Sequence, residues 1–137
     1  MARKLLDLQI DNVKLISPVN PVDLIKYYQE SDYLFLHLNE YKAFEKVIPS
    51  KIFEYGATNK IIIAGVRGYA KAFIEENVEN TIIFESGDVK SFIDTLLNHQ
   101  PAQIERINFI AKYSREIIMR SMAKSMLLLR PSDEDEK

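Results

Sequence analysis

A chain of 137 residues is within the range of a single domain and long enough to bury a core without staples. It has no cysteine, which excludes disulfides, thiolate metal sites and cysteine nucleophiles, and its two histidines, His37 and His99, argue against a histidine-rich metal centre. Eighteen basic residues stand against twenty acidic ones, for a net charge of −2. No basic stripe is offered to nucleic acid, and neither a cofactor nor a metal is implied.

No apolar run reaches the roughly 18 to 20 residues of a membrane span. The opening MARKLLDLQIDN is basic at its start but broken by acidic and amide residues, so it does not read as a signal peptide. These features place the chain in the cytoplasm, with a peripheral position at the inner face of the membrane left open.

In chain order, Leu5, Leu6 and Leu8 read as the end of an early helix, and Val13 to Ile16 as a short strand. Asn20 followed by Pro21 is a helix start, a capping side chain before a proline in the first turn. Leu24, Ile25 and Tyr28 then fall on one face by helical spacing. Tyr33 to Leu38 (YLFLHL) is an apolar run of strand length, expected to be covered on both faces. A polar loop, Asn39 to Lys46, leads to a helix opening at Pro49 or Ser50 and ending by Asn59. Lys60 to Gly65 (KIIIAG) is a second apolar strand, and Gly65 and Gly68 bracket a tight turn.

Tyr69 to Glu76 predicts a helix, Thr81 to Glu85 a strand, and Gly87-Asp88 the opening of a helix to about Asn98. Pro101 starts one long final helix to about Leu129, and the charged tail after Pro131 reads as disordered. The alternation predicts an α/β chain: one Rossmann-like domain with a parallel sheet of about four strands, flanking helices and a long C-terminal helix. Crossovers should be right-handed. Ligands in such sheets sit beyond the carboxyl ends of the strands. That rim collects Ser17 to Asn20, His37 to Ser50, Gly65 to Gly68 and Glu85 to Asp88.

The chemistry concentrates in Phe44 to Gly65, FEKVIPSKIFEYGATNKIIIAG. A helix start there exposes amides that can face phosphate, Ser50 adds a hydroxyl and Lys51 a mobile charge. Glu54, one turn beyond Ser50, could accept two hydrogen bonds from a vicinal diol such as a ribose. Bland readings stand beside these: a solvated Glu54 paired with Lys51 or Lys60, Ser50 as an ordinary cap, and Lys51 as a surface lysine. His37 reads first as a hydrogen-bonded core histidine and second as a rim residue. Tyr27, Tyr28, Phe44, Phe53 and Phe73 read as core rather than as stacking platforms.

The pattern PSK-I-F-E-Y-x-A-x-x-K-x-I-I-A-G resembles the donor-binding C-terminal domain of GT-B glycosyltransferases, especially bacterial ones that build surface polysaccharides. The resemblance runs from about Leu5 to about Asn98, with NVKLISPVNPVDLIKYYQESDYLFLHL and GYAKAFIEENVENTIIFESGD as further landmarks. It implies residues 1–130 as a partial nucleotide-sugar-binding domain and 131–137 as a tail. The implied donor is a nucleotide sugar, commonly a UDP-sugar, without an obligatory metal. Its sugar would pass to a lipid-linked or polysaccharide acceptor.

By the same resemblance Glu54 binds the ribose hydroxyls, and Pro49, Ser50 and Lys51 lie where the diphosphate is held. Pro18 and Val19 lie in the turn beside the base. The position eight residues before Glu54, an acidic contact to the donor sugar in many members, is Lys46 here, with Glu45 one step earlier as a substitute. The acceptor domain and the first strand–helix unit of the donor domain have no counterpart. The chain is therefore expected to be a fragment, a truncated product or half of a split enzyme, inactive alone, with no catalytic base to nominate. The alternative is a non-catalytic interaction module on the same fold. Met119, Met122, Met126 and Leu127 to Leu129 of the final helix predict an exposed apolar patch and self-association.

Overall fold

The computed structural model describes residues 12–100, 102 and 104–128. Helix α1 spans Pro21–Glu30, strand β1 Tyr33–His37, a 3-10 turn Lys42–Lys46, and helix α2 Lys51–Gly56. Strand β2 (Ile61–Gly65), helix α3 (Gly68–Asn77), strand β3 (Thr81–Phe84) and helix α4 (Val89–Asn98) follow, then α5 (Ile107–Tyr113) and α6 (Arg115–Leu128). The expected early helix ending at Leu8, the start of the final helix at Pro101 and the tail after Pro131 lie outside the described residues.

The three strands form one parallel sheet in the order β1-β2-β3. Register sets His37 opposite Gly65 and Gly65 opposite Phe84, so all three strands end level on one rim. The expected α/β architecture is present, as a Rossmann-like single domain with helices flanking the sheet and a long C-terminal helix.

Local signals act where they were expected. The Asn20 side-chain oxygen accepts from the Asp23 amide at 2.9 Å with Pro21 in the first turn, and Asp88 caps α4 by accepting from the Ser91 amide at 2.9 Å. Each such cap stabilises its helix by about 1 kcal/mol.

Four expectations are corrected. Val13 to Ile16 takes no regular secondary structure and pairs with none of the three strands, and Val13, Leu15 and Ile16 are exposed; a strand persists only where a neighbour takes its backbone hydrogen bonds. The sheet therefore has three strands among the described residues rather than about four. Strand β1 is not covered on both faces: Leu34 and Leu36 are buried, whereas Tyr33, Phe35 and His37 are exposed. The reason is that α4 covers the second face under β2 and β3, where Phe92 and Leu96 pack on Ile63, Ile82 and Phe84.

The final helix is also not continuous. Ser114 takes an extended conformation (ψ 142°) and its hydroxyl accepts from the Ile117 amide at 3.4 Å, so a serine cap ends α5 and starts α6. Before α5, Arg106 is held by backbone carbonyls rather than by a helical turn.

The main core lies on the opposite face, where Leu36, Ile62, Ala64 and Val66 meet Ile52, Ala70, Ile74 and Phe109. Phe53 and Phe73 join it through an aromatic cluster with Tyr113, the core role their spacing predicts. Phe44 instead pairs with Tyr41 in the loop after β1.

Candidate functional site

At the carboxyl rim the loops after all three strands meet. The Ser86 hydroxyl donates to the Gly65 carbonyl at 3.1 Å, and Arg67 donates to the Ser86 carbonyl at 3.1 Å while lying 3.4 Å from Glu85. The backbone of Glu45, in the 3-10 turn, packs against Gly68. His37 stands exposed at this rim, its ring 6.2 Å from Phe35 and 6.0 Å from Phe84, which replaces the core reading with the rim reading.

Lys51 and Glu54 lie one turn apart on α2, the helix that follows the loop after β1, as the segment PSKIFEY requires once it is helical. Lys51 Nζ donates to Glu54 Oε2 at 2.5 Å and to the Tyr28 hydroxyl at 3.0 Å. That hydroxyl in turn donates to the same Glu54 oxygen at 3.1 Å, so two side chains, one from α1 and one from α2, converge on one carboxylate oxygen. The hydrogen bond to Glu54, then that to Tyr28, raises the Lys51 pKa above the ordinary lysine value, with slight burial opposing; its charge is secure at neutral pH. Tyr28 is steadied from below by an edge-on contact with Tyr55, ring centres 5.4 Å apart. Burial, then the neighbouring Tyr28, raises the Tyr55 phenol above its ordinary value, and its hydroxyl donates to the Phe35 carbonyl at 3.4 Å.

Glu54 and Tyr28 stand on the wall of a groove of about 850 Å³ between α1 and α2. Its remaining lining joins Pro21, Leu24, Ile25, Ala57 and Ile110 of α5 to Gln29 and to Thr58, Asn59 and Lys60, the turn that leads into β2. The groove therefore reaches the amino ends of the strands rather than their carboxyl rim, and Lys51 lies outside its lining. A volume of this size admits a nucleotide-sized ligand.

The sequence-expected site residues are brought together only in part. Lys51 and Glu54 are in contact, and Tyr28, read from sequence as a core residue, joins them. Ser50 precedes them as the cap of α2, but its hydroxyl makes no capping bond among the described residues; its carbonyl accepts from the Phe53 and Glu54 amides. Pro49 is half-buried and its carbonyl accepts from the Ile52 amide. Pro18 and Val19 line a separate hollow of about 450 Å³ that shares only Leu24 with the Glu54 groove. Glu45 borders a small cleft with Arg67 and Ser86, and that cleft shares no lining residue with the Glu54 groove. The Lys46 side chain is exposed in the same turn.

Two residues with defined roles escaped the sequence reading. Tyr28 is 26 positions from Glu54, and its hydroxyl gives no local signal of the partnership. Arg106 was one residue inside an expected helix, although an arginine between Ile104 and Ile107 is the sort of charge among apolar neighbours that invites a search for buried partners.

Among the described residues no group of three His, Asp or Glu side chains is arranged to hold a metal ion, and no helix is long and apolar enough to cross a membrane. The fold and the groove thus define a Rossmann-like α/β domain with a lysine–glutamate–tyrosine cluster between α1 and α2, beside a groove that reaches the turn before β2. No family model matches the chain, and no curated protein or solved structure is significantly similar to it.

Proposed function

We propose that this chain binds a nucleotide sugar, a UDP-sugar in the first instance, as the donor-binding part of a glycosyltransferase serving a lipid-linked or polysaccharide acceptor. The observation that carries the reading is the placement of the Glu54 carboxylate on the wall of a nucleotide-sized groove, with the Lys51 ammonium bonded to it from one turn earlier in α2. A ribose diol needs a paired acceptor, and a diphosphate needs positive charge within a few ångströms of it. Glu54 and Lys51 supply that pair from a single helix. The PSKIFEY resemblance supports the same roles for them. In transfer, Lys51 would stabilise charge building on the departing diphosphate.

A heteronuclear NMR titration with UDP, GDP and AMP tests this. Saturable shifts with UDP, centred on Ser50 to Glu54 and lost in Glu54→Ala, are expected. A folded sample that shows no shift up to millimolar nucleotide would sink the reading.

A second reading, an interaction module on this fold, is favoured by α6, where Ile117, Ile118, Met119, Met122, Met126, Leu127 and Leu128 are all exposed. Such a face associates with apolar partners. It predicts concentration-dependent self-association in sedimentation velocity, reduced by the double change Met122→Glu and Met126→Glu. A monomer at all concentrations would remove this reading's support.

A further inference from the structure

The proposed diol acceptor and the proposed phosphate anchor are bound to each other. Both donors that reach Glu54, Lys51 Nζ at 2.5 Å and the Tyr28 hydroxyl at 3.1 Å, use the same oxygen, Oε2. Lys51 itself is shared, since it also donates to Tyr28 at 3.0 Å and lies 5.7 Å from the centre of that ring. A carboxylate needs both oxygens to hold two vicinal hydroxyls, and a lysine engaged by a carboxylate is poorly placed to meet an anion.

We infer that Lys51, Glu54 and Tyr28 form a self-closed latch that makes the site respond to phosphate and diol jointly. The inference rests on the nucleotide-sugar reading and concerns how that site selects its ligand. A nucleoside alone must compete with Lys51 for Glu54 Oε2. An inorganic anion alone must draw Lys51 from Glu54 and leave the carboxylate without its cation. A nucleoside diphosphate does both at once, with the diphosphate taking Lys51 as the ribose takes Glu54. The two halves of the ligand therefore each remove an obstacle to the other, which is positive coupling between sub-sites.

The size of the effect follows from the latch's exposure. Lys51 and Glu54 side chains are 42 % and 43 % exposed, so the pair is of the surface kind, and its rupture changes an affinity by up to about fivefold. Tyr28 contributes the smaller share, because its hydroxyl is a neutral donor at 3.1 Å whereas Lys51 is charged and closer.

The test compares uridine, inorganic diphosphate and UDP by calorimetry or NMR titration, on the wild-type chain, Lys51→Met and Tyr28→Phe. Lys51→Met is expected to bind uridine about three- to fivefold more tightly while binding UDP about tenfold more weakly. Tyr28→Phe, which keeps the ring on Tyr55, is expected to tighten uridine about twofold and leave the fold unchanged. Uridine affinity that is unchanged or lowered in both variants, with UDP still binding the wild type, overturns the latch and leaves the nucleotide reading in place. A wild-type chain that binds no UDP overturns the nucleotide reading and the latch with it.

Discussion

Arg106→Met is expected to lower the stability of the chain by about 3 to 5 kcal/mol, the range for breaking a buried, hydrogen-bonded charge network. The Arg106 side chain is almost fully buried and, among the described residues, meets no carboxylate and is held by main-chain oxygens. Its guanidinium donates to the Glu79 carbonyl at 2.8 Å, to Thr58 at 2.5 Å, and to Lys60 and Asn80 at 2.9 and 3.1 Å. The first pair of turns, at Thr58 to Lys60 and Glu79 to Asn80, leads into β2 and β3. One side chain thus ties the starts of two adjacent strands to the segment that begins α5.

Burial lowers the Arg106 pKa, with Glu79 offsetting part of the effect, but an arginine this far above neutrality keeps its charge. Removing it recovers the cost of dehydrating the guanidinium, yet leaves several carbonyls without a donor at about 1 to 3 kcal/mol each if water cannot reach them. Arg106→Lys should recover little, because an ammonium lacks the planar fork that reaches both turns. Urea or thermal unfolding checks both variants, and a midpoint lowered by about 10 °C or more is expected for a chain this long. A change within about 1 kcal/mol for Arg106→Met would show that the turns hold without their clip.

The features legible in the sequence are those whose cause is local. Asn20-Pro21 and Asp88 announce helix starts because a cap needs only residues within one turn. Ile61 to Gly65 reads as a buried strand because four of its five residues are in fact buried in the middle of the sheet. The same logic misjudges β1, whose apolar run looks like that of β2 although α4 covers its neighbours and leaves alternate residues of β1 exposed. Nothing in YLFLH says how many neighbours the strand will have.

The break at Ser114 was hidden by apolar spacing that continues through it, and the serine cap is compatible with either helix continuation or a new start. At the site, the Lys51–Glu54 pair was within reach of helical spacing, whereas Tyr28 enters through the packing of α1 on α2 and Arg106 through carbonyls up to 48 positions away. Long-range polar partners leave no period in a sequence, so they are the part that only the fold supplies.

The second large effect is expected at the rim. Gly68 opens α3 with φ +59°, a left-handed conformation that costs an L-residue roughly 1 to 2 kcal/mol. A methyl group there would also meet the Glu45 main chain, against its carbonyl oxygen, carbon and Cα. Backbone cannot rotate away as a side chain can, so the 3-10 turn Lys42–Lys46 must move as a unit. Gly68→Ala is therefore expected to lose about 3 kcal/mol in urea unfolding, the strain and the displacement together.

Gly87→Ala supplies the control. That residue also has positive φ, +85°, but its methyl group would meet only the end of the Glu40 side chain, which can swing aside. About 1 kcal/mol is expected there, the conformational strain alone. The displaced turn in Gly68→Ala runs through Val47 and Ile48 into Pro49, Ser50 and Lys51, so the two variants also separate at the site. Gly68→Ala should shift the amide resonances of Ser50 to Glu54 and weaken UDP binding, while Gly87→Ala should leave both near wild type. Equal losses of stability in the two variants would show that backbone conformation alone, and not the clasp on the Glu45 turn, sets the value of a glycine at this rim.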